Sequence, residues 1–297
     1  MGCAGSKPAK AKGTVPEQFL KALAVKPYGV LGEGMGASGK PWETKAVAAA
    51  PDKNTLIVDP ASINIISPNY TPSPADMGGA AGAIYRFLGI TENENFPPDV
   101  IIGLRPGVGT AVYKRYGYPD AKHVVHVIGP DFKAAKATRQ EAMDALTTTY
   151  LNVLRVARDE PRPLLRLLPI SSGIYAGAWK SEMAEITADA LVEAVERLHS
   201  ENPKLAAEAL APSGAREVEM CVFDPKECKA YKRALAAAIA MKYGGVAPET
   251  PRTEAATKVQ AAARGKATRG KLDASKADAS KADVSKADDT GKPAVSN

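Results

Sequence analysis

Cysteine and histidine are scarce in this 297-residue chain, with three of each. Cys3 lies near the start, and Cys221 and Cys228 are too few and wrongly spaced for a disulfide framework or a zinc site. A reducing compartment is therefore expected. His123, His126 and His199 form no metal-ligand pattern, and no cofactor is expected. Aromatic residues make up only 6% of the chain, so parts of it are expected to pack no core. No apolar run approaches the roughly 18 residues that a membrane-spanning helix needs. The first residues also lack the apolar stretch of a secretory signal.

What is present is an ordinary globular core composition, 45% hydrophobic, under a net charge of +6. That charge permits contact with anionic membranes, nucleic acids or acidic proteins without choosing among them. The basic residues gather at the two ends without interleaved aromatics, so no specific nucleic-acid binding is expected.

The stretch LLRLLPISSGIY, Leu164 to Tyr175, reads as a buried strand that stops at Pro169 and opens into a small-residue turn. Ser171, Ser172 and Gly173 leave backbone amides free to face an anion, and a helix pattern follows from Ser181. Strand, small-residue turn and helix form a recurring phosphate cradle at the carboxyl edge of an α/β sheet. Tyr175 adds a flat ring that could pack on a sugar.

A second such unit begins with the apolar run Ile63, Ile65 and Ile66, taken as a strand after Thr55 to Val58. It ends at Pro68-Asn69, and a proline-rich loop leads through Asp76 and Met77 to Gly78-Gly79. A helix is expected from about Gly82. A third stretch, Tyr118 to Pro130, carries a strand over Lys122 to Ile128, with His126 as a packed strand residue.

Other elements follow from period and capping. Pro16 to Val25 suggests a short helix. Tyr28 to Lys40 is a glycine-dense loop. Within it, Gly34, Gly39 and Lys40 superficially match a nucleotide-triphosphate loop, but Pro41 stands where a magnesium-binding hydroxyl is needed. Thr138 to Glu141 is a capping box opening a helix with its core stripe at Met143, Leu146, Tyr150, Val153 and Ala157. A further packed helix carries Met183, Ile186, Ala190, Ala194 and Leu198. A strand from Glu217 to Phe223 and a helix from Lys226 to Met241 complete this region, with Cys221 and Cys228 structural.

Together the Asn69 to Gly79, Tyr118 to Pro130 and Pro169 to Gly177 segments resemble a macrodomain, the ADP-ribose-binding α/β module. The resemblance covers roughly residues 55 to 243. It implies a three-layer α/β/α fold with a mixed central sheet. It also implies that Asn69 meets the distal ribose, and that Met77, Gly78, Gly79 and Ala80 face Ser171, Ser172, Gly173, Ile174 and Tyr175 across the diphosphate. Phe223 would border the adenine. Asp59 is the nearest candidate for the aspartate that contacts the adenine amino group. Hydrolases of the family often carry an acid just after the glycines, where this chain has Ala80 and Ala81. ADP-ribose binding is thus preferred. One alternative is a hydrolase of protein-linked mono-ADP-ribose or of ADP-ribose 1″-phosphate, with Asn69 and Asp76 catalytic. Another is a membrane scaffold whose macrodomain holds no ligand.

Both ends carry short signals. Gly2 with Ser6 satisfies an N-myristoylation pattern, Cys3 is placed for palmitoylation, and Lys7, Lys10 and Lys12 follow. Acyl chain plus basic patch gives stable anchoring, so the cytoplasmic face of a membrane is expected. Val259, Gln260, Arg264, Gly265 and Arg269 fit the IQ pattern, a basic helix gripped by calmodulin or a calmodulin-like protein. A five-residue repeat starting at Asp273, Asp278 and Asp283 gives no helical face and reads as disordered. The expected organisation is an anchor over 1–15, a macrodomain over 16–245, a linker over 246–256, an IQ helix over 257–272 and a tail over 273–297.

Overall fold

The computed structural model describes residues 13–40, 43–67, 74–92, 95–134, 136–204 and 217–244. The acylation signals, Asn69, the IQ segment and the tail lie outside the described residues. The strands are β1 (Ala24–Lys26), β2 (Glu33–Met35), β3 (Thr44–Ala46), β4 (Thr55–Ala61), β5 (Ala111–Tyr116), β6 (Lys122–Ile128), β7 (Leu164–Leu167) and β8 (Glu217–Cys221). The α-helices are α1 (Val15–Ala22), α2 (Gly79–Leu88), α3 (Pro98–Leu104), α4 (Arg139–Asp159), α5 (Met183–Glu201) and α6 (Pro225–Tyr243).

Six strands form one mixed sheet in the order β1-β8-β7-β4-β6-β5, and β2 pairs with β3 in a separate hairpin. All neighbours in the large sheet are parallel except β5, which runs antiparallel to β6 at the edge. Parallel neighbours require long crossovers, and α4 and α5 supply them between β6, β7 and β8. Helices α1, α4, α5 and α6 pack on one another, while α2 and α3 pack on β4, β5 and β6.

Strand alternation gives the sheet two unlike faces. Leu56, Val58, Val125, Leu165, Leu167 and Val218 share one face and are buried. Each such side chain contributes about 1.5–3 kcal/mol when fully buried. The other face carries Asp59, His126, Arg166 and Glu219, also buried. There the Arg166 Nε donates to Glu219 Oε2 at 2.9 Å, and its Nη1 donates to the carbonyls of Val30 and Ala49 at 3.1 and 2.9 Å. The Tyr28 hydroxyl donates to Glu219 Oε1 at 2.9 Å. A buried ion pair thus ties the segment around the β2–β3 hairpin to the sheet.

Four expectations change. The stretch from Tyr28 to Lys40, expected as a loop, contains β2, which pairs with β3. Ile63–Ile66 is a 3-10 turn, not a strand: none of its residues is buried, and Ile63 is 45% exposed. β4 is already flanked by β6 and β7 and extends to Ala61, so the chain has no further strand to pair with and leaves the sheet. Ser62 Oγ accepts from the Asn64 amide at 3.2 Å and starts the turn. The first helix stops at Ala22, and the next residues form β1 against β8. Helix α2 begins at Gly79, earlier than expected, with Gly78 as its N-cap.

Candidate functional site

Because β4, β6 and β7 are parallel neighbours, their carboxyl ends lie along one edge, where open α/β sheets bind ligands. Three loops leave that edge. The loop after β7 is anchored from below by Tyr150 of α4, whose fully buried hydroxyl donates to Leu168 O and accepts from the Ile170 amide, both at 3.0 Å. Burial pushes the Tyr150 hydroxyl far above its usual titration range. Ser171 sits in the left-handed region at φ 60, a strained conformation for a non-glycine residue. Its Oγ donates to Pro130 O at 2.6 Å, which holds the loop against the one after β6.

Gly129 makes that contact possible. A Cβ there would lie 2.5 Å from Ile170 Cγ2 and 2.6 Å from Ser171 Oγ. Farther on, the Phe132 amide donates to Tyr175 O at 2.9 Å, joining the same two loops again. The Ser172 hydroxyl donates to Pro169 O at 2.9 Å, while the backbone amides of Ser172, Gly173 and Ile174 have no hydrogen-bond partner among the described residues. Gly173 and Ile174 are exposed and Ser172 is half-buried.

Between the loops lies a cavity of about 30 Å³, lined among others by Ser62, Gly129, Asp131, Ser171 and Tyr175. The hydroxyls of Ser62 and Tyr175 meet at 3.0 Å across the loops. That volume suits one water molecule and is far too small for a nucleotide. Asp131 is the one carboxylate among its described lining residues.

Residues 75–187 match the model of the Macro domain family. The described part of this chain has the macrodomain fold. The matched stretch runs from α2 through β5, β6, α4 and β7 into α5, and so contains both Asp131 and the loop from Ser171 to Tyr175. Solved structures overlap the chain only partly. The Oceanobacillus iheyensis macrodomain with ADP shares 17% identity over 61% of this chain and 82% of that one, at a TM-score of 0.39. The Trypanosoma brucei macrodomain in complex with ADP-ribose shares 16% over 78% and 92%, also at 0.39. An alphavirus chain shares 21% over 69% of this chain, at a TM-score of 0.40, but this chain spans only 26% of its length. Overlaps this partial assign no residue. No curated protein matches the sequence.

Within the matched stretch, Ser171 and Tyr175 line the cavity, and Ser172 to Ile174 connect them. The described residues just before and at the start of α2 do not line it. Asp76, Gly78, Gly79 and Ala80 are exposed, Met77 is half-buried, and none of them lines the cavity. Phe223 is half-buried; a Cβ on Gly29 would lie 3.6 Å from its ring.

Asp59 is not free to meet an adenine, a correction to its candidacy. It is fully buried, and its Oδ2 lies 2.7 Å from His126 Nδ1. A carboxylate only accepts, so His126 Nδ1 carries the proton, which leaves Nε2 to accept from the Tyr116 hydroxyl at 2.8 Å. Burial first, then the charges of Asp59 and Asp99, push the Tyr116 hydroxyl far above its usual range. Ser62 and Asp131 were missed as site residues. Each follows a strand closely, Ser62 directly after β4 and Asp131 three residues after β6, and that placement was the available signal.

Among the described residues no cluster of His, Cys, Asp and Glu could hold a metal ion, and no helix is long and apolar enough to cross a membrane.

Proposed function

We propose that the macrodomain binds an ADP-ribosyl group at the carboxyl edge of β4, β6 and β7. The observation that carries this reading is the set of amides at Ser172, Gly173 and Ile174 that have no hydrogen-bond partner among the described residues, on the loop that lines a hydroxyl-bearing cavity. Fixed amides of this kind are a ready site for a diphosphate, because they stabilise negative charge without reorganising. The family match over residues 75–187 supports the same ligand class, as does the ADP-ribose in the Trypanosoma brucei macrodomain. A ribose does not fit the cavity while Tyr175 bonds Ser62, so binding swings Tyr175 aside. Breaking that bond costs about 0.5–1.5 kcal/mol, small beside the binding energy of a diphosphate ligand.

Binding is favoured over hydrolysis because Ala80 and Ala81 bring no acid to the first turn of α2, and Asp76 is not among the residues that line the cavity. Calorimetry with ADP-ribose tests the proposal, with Gly173→Glu as the informative variant. A Cβ at Gly173 meets nothing within 4 Å, so the fold accepts the side chain, while its carboxylate faces the diphosphate. Affinity is expected to fall more than about tenfold by like-charge repulsion. Equal affinity in the variant would move the diphosphate elsewhere.

The terminal signals extend the proposal. Acylation at Gly2 and Cys3 would tether this binding module to the cytoplasmic face of a membrane, and the segment over 257–272 would recruit a calmodulin-like protein. Loss of the membrane fraction in Gly2→Ala, and loss of calmodulin capture in Arg264→Glu, are the expected results.

A further inference from the structure

Building on the ADP-ribosyl reading, the geometry points to Asp131 as the residue that sets which end group the cavity accepts: a terminal ribose with free hydroxyls, and not one bearing a phosphate. Asp131 lines the cavity together with the hydroxyls of Ser62, Ser171 and Tyr175. Its Oδ1 accepts from the amides of Lys133 and Ala134 at 2.9 and 3.2 Å. These bonds fix the carboxylate on its turn and leave Oδ2 without a partner among the described residues. Asp131 is half-buried and is the one carboxylate among the described lining residues, so a negative charge borders the cavity.

The chemistry of the two halves of the site is therefore opposite. The amides at Ser172 to Ile174 donate and suit an anion. The cavity offers a carboxylate that only accepts, and that suits a donor. Once Tyr175 has swung aside, the Ser62 hydroxyl can donate or accept and so serves either end group alike, while the Ser171 hydroxyl is committed to Pro130 O. A ribose with free hydroxyls supplies donors to Oδ2, in hydrogen bonds strengthened by the carboxylate charge. A phosphate monoester near neutral pH supplies almost none and is repelled at short range. The amide loop thus takes the diphosphate that both ligands share, and the cavity discriminates between their end groups.

The test is calorimetry on the full chain with ADP-ribose and with ADP-ribose 1″-phosphate. Wild type is expected to prefer ADP-ribose by about tenfold or more, the range of a like-charge contact at this kind of site. In Asp131→Asn the preference should shrink to about twofold or less, because the repelling charge is gone. Asparagine keeps an oxygen for the Lys133 and Ala134 amides, so the turn survives, which a thermal melt verifies. Asp120→Asn, an exposed charge on the β5–β6 turn, should leave the preference intact and excludes an effect of net charge alone. Equal wild-type affinities, or a preference that persists in Asp131→Asn, overturn the inference while leaving ADP-ribosyl binding in place. Absence of binding by either ligand overturns the underlying reading of the site and this inference with it.

Discussion

Replacing Tyr150 with phenylalanine removes one oxygen and tests how the loop after β7 is held. The ring stays, so packing is preserved. The lost hydroxyl donates to Leu168 O and accepts from the Ile170 amide, each at 3.0 Å, in a fully buried position. Neither backbone group has another hydrogen-bond partner among the described residues, and both residues are buried. An orphaned buried donor costs about 1–3 kcal/mol, and an under-satisfied carbonyl somewhat less. The sum is about 2–4 kcal/mol. For a unit of this size that corresponds to a loss of roughly 5–15 °C in Tm. Urea unfolding at constant m measures the stability directly, since a changed midpoint at unchanged m reports stability alone. Because the same hydroxyl positions the residues leading into Ser171, ADP-ribose affinity should also drop several-fold. A loss below about 0.5 kcal/mol would refute the argument: the Ser171–Pro130 and Phe132–Tyr175 bonds would then hold the loop without help from α4.

Two further outcomes follow from buried charge. Arg166→Met leaves Glu219 inside the sheet without its guanidinium and should cost about 3–5 kcal/mol in urea unfolding, whereas Arg166→Met combined with Glu219→Leu should recover most of that loss, because the desolvation penalty leaves with the pair. His123 is held below the usual histidine value of 6.5, first by burial and then by the positive charges of Arg162 and Arg115. The unfolded chain therefore binds the extra proton more readily than the folded one, so this residue's contribution to stability is intact above 6.5 and is lost as the pH falls from there through the lower folded-state value. His123→Gln should flatten the acid limb of the stability curve below 6.5. An unchanged slope there would show that His123 is not responsible.

Much of the scaffold was legible because it is locally encoded. The apolar run of Lys122 to Ile128 and the boundary Leu167–Leu168 before Pro169 mark strands without reference to anything distant. The capping box was visible as Thr138 and Glu141, and both of its bonds are present, at 3.3 and 2.7 Å. The turn at Ser171 to Gly173 could be located by its small residues alone. The strained backbone of Ser171 could not, since it is imposed by Pro130, which lies 41 residues earlier in the chain.

Elsewhere the local pattern misled. Ile63, Ile65 and Ile66 have the composition of a strand, and whether a strand forms depends on a free edge that β6 and β7 had already taken. β1 is three residues long and exists because β8 is there to pair with it. Asp59 resembled a ligand contact until the fold set it against His126, 67 positions away. Ser62 and Tyr175, 113 residues apart in the chain, meet only after β4 and β7 have paired. The chain by itself determined period, caps and turns, which depend on neighbours within a few residues. Tertiary structure decided which groups face the cavity, because that requires bringing strand ends together across long loops, and no local spacing records which ends will meet.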